Sequence, residues 1–253
     1  MVSSGMSGVS TAMGKGRAES RRAASGPRRF YVGIVLFMIA VVLTGFWPSY
    51  FGPLLRGAAA RPWVIHLHGL VFMGWMALLL TQVALVAAGR TGLHRQIGNA
   101  GMVYGWVVLI MGLVVGFAAP ILHVTAGEWS MDRASGFLLI ILGDMILFGS
   151  FFVASMVYRR KPEIHKRLIL LATVALLFAA AGRMSFLSPP FLLAVWLSPV
   201  LIAMGYDFFT RRRVHPVYFI GLAGLLVVFS RVFFTESEAW LRIGRPLLAT
   251  FMR

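Results

Sequence analysis

Seven long runs of apolar residues divide the chain between Phe30 and Phe234. They cover Phe30–Tyr50, Trp63–Ala88, Ile97–Leu122, Ser135–Tyr158, His165–Gly182, Phe191–Phe208 and His215–Phe234. Each is about 18–26 residues long, and at ~1.5 Å per helical residue that length crosses the ~30 Å hydrocarbon core of a bilayer. No water is available there to satisfy backbone N–H and C=O groups, so each run must close its own hydrogen bonds as a helix. The expected fold is all-α, a polytopic transmembrane bundle of about seven helices. Composition agrees: 13% of the 253 residues are charged and 59% hydrophobic, where a soluble domain carries about 25% charged residues. Pro189–Pro190 mark the start of the sixth run, and Pro199 inside it predicts a kink.

The flanks read differently. Residues 1–29 are rich in Ser, Gly, Ala and Arg, with Glu19 their only acid, which predicts a disordered basic tail. Arg28–Arg29 resemble a twin-arginine signal, but no small-residue cleavage site follows the first run. Trp47, Pro48, Ser49 and Tyr50 follow it instead as an interfacial belt, so the run reads as a signal anchor. The transmembrane domain then spans 30–235. In 236–253, Trp240, Leu241, Leu247, Leu248 and Phe251 alternate with Arg242, Arg245 and Arg253, the pattern of an interfacial amphipathic helix.

Charge sets the expected orientation. The tail and the loops after runs two, four and six hold sixteen of the 24 Lys and Arg residues. By the positive-inside rule the N-terminus is cytoplasmic, and seven spans leave the C-terminus outside. The net charge of +16 lies in short loops beside apolar runs, so its expected partner is anionic lipid at the cytoplasmic face rather than nucleic acid. The absence of cysteine excludes disulfides, thiolate catalysis and iron–sulfur ligation.

Three of those basic loops share a pattern: Arg90-Thr-Gly-Leu-His94-Arg95, Lys161-Pro-Glu-Ile-His165-Lys166-Arg167 and Arg211-Arg-Arg-Val-His215. In each, a base precedes a histidine by four residues and the histidine opens the next helix, so the bundle reads as one leading helix plus three hairpins. Helix N-termini with adjacent bases attract anions. Arg90, Arg95, Lys166 and Arg167 are therefore candidates for contacts to lipid head groups, to haem propionates or to a quinone-like head group.

A second polar layer is expected on the outer side. Intramembrane charge is costly and needs a partner. Asp144 lies about 14 Å below the outer end of run four, while Arg183 and Arg231 lie about 27 Å and 24 Å from the cytoplasmic starts of their runs. Either arginine is in reach of Asp144, and such a pair would tie runs four, five and seven together. His66 and His68 stand ~200° apart on their helix, so one faces the bundle. His68, before Gly69, is the choice. Trp75 and Gln82 lie deeper in the same helix, and His123 ends run three on the outer side.

His68-Gly69, Gln82, Arg90, His94-Arg95-x-x-Gly98, Tyr104, His165-Lys166-Arg167 and Arg183 cover runs two to five. In this order they resemble a family of uncharacterised bacterial multi-pass membrane proteins with an H-G, Q, H-R-x-x-G, H-K-R signature. That resemblance implies a place in the bacterial inner membrane. A looser similarity is to the di-haem b-type membrane cytochromes of the b561 kind. It implies haem b on bis-His ligation, with His68 and His123 outside and His94 with His165 or His215 inside. The fourth run departs from that pattern, carrying Asp144 and no histidine.

Three function classes follow. One is a haem b electron-transfer protein. Another is a transporter or sensor without a redox cofactor, built around Asp144, Arg183 and Arg231. The third is an accessory subunit of a larger membrane complex. No Ser–His–Asp, HExxH or phosphate-loop pattern is present, and acid/base chemistry has few candidates beyond the histidines and Asp144.

Overall fold

The computed structural model describes residues 29–57 and 61–252. Of the expected tail only Arg29 falls within them. Among the described residues there is no strand, and seven helices are long and apolar enough to cross a membrane. They are α1 (Arg29–Leu55), α2 (Trp63–Ala87), α3 (Thr91–Thr125), α4 (Met131–Val157), α5 (Pro162–Ala181), α6 (Pro189–Arg211) and α7 (Pro216–Phe234). An eighth, α8 (Glu238–Phe251), follows. The chain is an integral membrane protein of all-α architecture.

Helix starts follow local chemistry. Pro162, Pro189 and Pro216 open α5, α6 and α7, where a missing N–H costs nothing. The Ser130 hydroxyl caps α4 by accepting from Arg133 N–H, and His215 Nδ1 caps α7 by accepting from Val217 N–H. Several helices begin earlier than their apolar runs. α3 starts at Thr91, so His94 and Arg95 lie in its first turn, and α5 starts at Pro162.

α5 is the central helix: 61% of its most apolar window is buried, against 22% for α2, α3 and α7. It packs on α4, α6 and α7, while α4 also meets α3 and α8. Small residues allow the close approaches. A Cβ on Gly105 would meet Phe152 at 2.2 Å, and one on Gly112 would meet Met145 Sδ at 2.1 Å, so α3 and α4 interlock through glycine. A Cβ on Gly45 would stand 2.2 Å from the Ala180 carbonyl oxygen, which seats α1 against the end of α5. Large residues such as Leu70, Ile110, Ile146, Ile220 and Val227 point outward, as lipid-facing positions do.

α8 does not stand free. Leu241, Gly244 and Leu248 are buried, with Leu248 in one apolar cluster with Ala134 and Leu138 of α4. Trp240 Nε1 donates to the Ser135 carbonyl at 2.8 Å, and Arg245 reaches Asp132 at 2.5 and 2.9 Å. Phe251 packs on Phe117 of α3, ring centres 4.9 Å apart.

Candidate functional site

Charged groups buried among apolar helices must be paired or must serve a ligand, so the arginines sort the sites. On the basic face, where α1 begins, Arg167 of α5 is wholly buried. Its Nη2 donates to both Asp207 carboxylate oxygens, at 2.7 and 2.5 Å, and its Nε to Oδ2 at 3.1 Å. Its Nη1 donates to the Glu163 carbonyl at 2.6 Å and to Glu163 Oε2 at 2.8 Å. Glu163 also receives Lys166 at 2.8 Å and Arg211 at 2.5 Å. Every guanidinium nitrogen of Arg167 is thus engaged, and the network locks α5 to α6. Arg167, expected to meet lipid or a propionate, is instead turned inward by Asp207. Asp207 escaped the sequence reading because it ends an apolar run and lies 40 residues from its partner.

A second arginine is also paired. Arg231 of α7 bonds Asp144 of α4 and donates to the Val228 carbonyl at 2.7 Å and the Ile140 carbonyl at 3.2 Å. Gly143 leaves its room: a Cβ there would lie 2.4 Å from Arg231 Cδ. The pair ties α4 to α7, and α5 contributes the Phe178 ring, 5.1 Å beneath the guanidinium, rather than Arg183.

Arg183 stands apart. Just past the end of α5, on the face opposite the basic one, it lies over the Phe46 ring at 4.5 Å and donates from Nη1 to the Ala179 carbonyl at 2.7 Å. Among the described residues no carboxylate lies within salt-bridge distance of it. The nearest titratable side chains to it are Arg61 and the His68 imidazole. Arg61 donates to the Ser49 carbonyl at 2.7 Å. His68 packs on Phe72 at 4.3 Å, and among the described residues neither its Nδ1 nor the buried Ser49 hydroxyl has a partner. Tyr50 completes this layer. Its hydroxyl bonds His66 Nδ1 at 2.9 Å and lies where a Cβ on Gly69 would come within 3.3 Å. Residues Trp47–Phe51 form a π-helical turn that brings Phe46, Ser49 and Tyr50 into this layer, the kind of irregularity often found at functional sites.

A third polar group gathers on the basic face between α2, α3, α4 and α5. His94 lies beside Gln82 and His165. His165 Nδ1 bonds the Ser155 carbonyl at 2.9 Å. A carbonyl only accepts, so Nδ1 carries a proton. His94 Nδ1 and Gln82 Nε2 are buried without partners. Between this layer and the opposite one stands an aromatic plug. Trp75 of α2 is buried against Phe148 and Phe152 of α4, centroids 5.4 and 6.0 Å away, and its Nε1 donates to Thr173 of α5 at 3.2 Å.

The remaining candidates are occupied elsewhere. His123 bonds Glu128 at 2.5 Å and stacks on Trp129 at 4.2 Å, and no hydrogen bond or ring contact joins it to His68. His215 caps α7, and partial burial, with Arg167 nearby, holds its imidazole below the ordinary value. Lys166 is bound to Glu163, while Arg90 borders a lipid-side groove of about 410 Å³ with Leu80, Thr81, Ala84, Leu85 and Ala88. Among the described residues no three His, Asp or Glu groups converge to hold a metal ion. The chain matches no family model, no curated protein and no solved structure, so its function is read from these side chains alone.

Proposed function

We propose that this integral membrane protein is a ligand-binding protein of the transporter or sensor kind, working without a redox cofactor. One observation carries the reading. The α2–α5 unit has unpartnered polar groups at both ends, His68 at one and Gln82 with His94 at the other, with Trp75 wedged between them. His68 and Gln82 are about 21 Å apart along α2. Each unpaired buried polar group costs about 1–3 kcal/mol, a cost that a polar ligand removes on binding. The plug is held by its packing against Phe148 and Phe152 and by one hydrogen bond worth about 0.5–1.5 kcal/mol, so joining the two ends requires the Trp75 ring to repack. In this reading Asp144 and Arg231 belong to the scaffold, and the positive-inside rule puts the basic face in the cytoplasm.

The test is a thermal-shift screen of small anions, organic cations and amino acids on the detergent-purified chain. A ligand at a hundred times its Kd stabilises by about 2.7 kcal/mol. Stabilising compounds whose effect is lost in His68→Asn or Gln82→Ala support the proposal. A screen with none, or with effects indifferent to both substitutions, ends it.

A second reading has its own observation. His165, tied by Nδ1 to the Ser155 carbonyl, lies beside His94 at the basic face, with Arg90 and Arg95 at the start of α3. The two imidazoles would hold one haem b and the arginines its propionates, and the group would supply one-electron chemistry. Protein from haem-replete cells would then show a Soret band that His94→Ala removes. A colourless preparation rejects it.

A further inference from the structure

Among the described residues Arg167 and Arg231, both buried, are neutralised by carboxylates, and Arg183, half-buried just past the end of α5, is not. Removal from water costs an isolated cation several kcal/mol, and five of the seven carboxylates among the described residues are bonded elsewhere. The groups around Arg183 are those an anion needs. Arg183 has one nitrogen committed, to Ala179, and Arg61 one, to Ser49. The Ser49 hydroxyl and His68 Nδ1 have no partner. The Phe46 ring supports the guanidinium from one side. Two guanidinium forks match the paired oxygens of a tetrahedral oxyanion better than a single carboxylate does.

Depth points the same way. Trp47 and Trp63, both exposed, flank this layer at the ends of α1 and α2, where aromatic belts mark the head-group level. Beside it a groove of about 320 Å³ runs along Leu43, Thr44, Trp47, Pro48 and Phe186, apolar and open to the lipid side. We propose that Arg183, Arg61, His68 and Ser49 form a binding site for a phosphate group, supplied by a lipid head group or by a soluble phosphate compound. The site rests on one layer of the ligand-binding reading above but not on passage past Trp75.

The experiment measures binding to the full chain by native mass spectrometry and thermal shift. The probes are phosphatidylglycerol, inorganic phosphate and, at equal ionic strength, chloride. Phosphatidylglycerol alone raising the melting temperature assigns the site to a lipid head group. Phosphate acting as well assigns it to soluble phosphate, and both outcomes require the effect to fall about tenfold or more in apparent affinity in Arg183→Gln, as expected for lost charge-assisted bonds. Arg61→Gln lies on the exposed side, leaves the fold intact and weakens binding in the same direction, which covers a failure of Arg183→Gln to fold. No probe exceeding chloride, or equal binding by wild type and both arginine variants, overturns the proposal.

Discussion

Replacing Asp207 by alanine strips the buried Arg167 of its bidentate partner. Three of the five bonds made by the guanidinium go to Asp207 and two to Glu163, so the variant leaves a partly compensated charge inside the α5–α6 contact. Breaking a buried pair in this way costs about 3–5 kcal/mol. The surviving Glu163 contacts put the expected loss at the lower end, about 3 kcal/mol. For a chain of this size each kcal/mol moves the midpoint by about 2–4 °C, which predicts a fall of about 6–12 °C in detergent. Removing both charges with Arg167→Met and Asp207→Leu leaves an apolar contact of similar volume and recovers most of that loss, since buried pairs are often no better than apolar replacements. The assay is thermal unfolding by circular dichroism of wild type, the two single variants and the double variant. A double variant as unstable as the sum of the singles would refute the reasoning, as would an Asp207→Ala midpoint within 2 °C of wild type.

Other substitutions separate scaffold from site. Gly45→Ala puts a methyl against the Ala180 carbonyl, which no side-chain rotation relieves, and should cost about 1–3 kcal/mol, read as a lower melting temperature with unchanged helix content. Asp144→Asn should lower the midpoint by a comparable or larger amount, because the Arg231 charge is then left with neutral acceptors only; an unchanged midpoint would mean that the pair holds nothing together. His215 resists protonation in the folded chain, so its contribution is intact above the ordinary imidazole pKa of about 6.5 and is lost as pH falls below it. Protonation also ends its cap on Val217 N–H, so between pH 7 and 5 wild type should lose more stability than His215→Asn, which still caps. Parallel pH curves for the two would count against this. Asp132→Asn at the exposed contact with Arg245 should leave the midpoint unchanged within error, as surface pairs do.

The histidines show how far residue type carries. Five of the six are candidates by sequence, with His66 set aside for His68, but a histidine on a helix end can cap, stack, pair or wait for a ligand, and its spacing does not distinguish these. His123 was taken up by Glu128 and Trp129, and His66 by Tyr50. The pairing of Asp144 with an arginine was legible from depth alone, since both ends of the pair lie at similar heights in the bilayer. Which arginine was not legible, because depth says nothing about the rotation of a helix about its axis. The same limit hides Asp207: it closes an apolar run 40 residues from Arg167, and only helix rotation turns the two together across the α5–α6 contact.

Hydropathy and charge in the chain alone determined the seven spans, their helical state and the excess of bases on one face. These follow from one-dimensional requirements: a length of apolar residues, internally closed backbone bonds and the cost of moving charge. The tertiary structure decided which helix lies at the centre, where α8 docks, and which of three arginines is left without a carboxylate. Those depend on crossing angles and on glycine-sized gaps such as Gly45, Gly112 and Gly143, where atoms distant in sequence meet within a few ångströms.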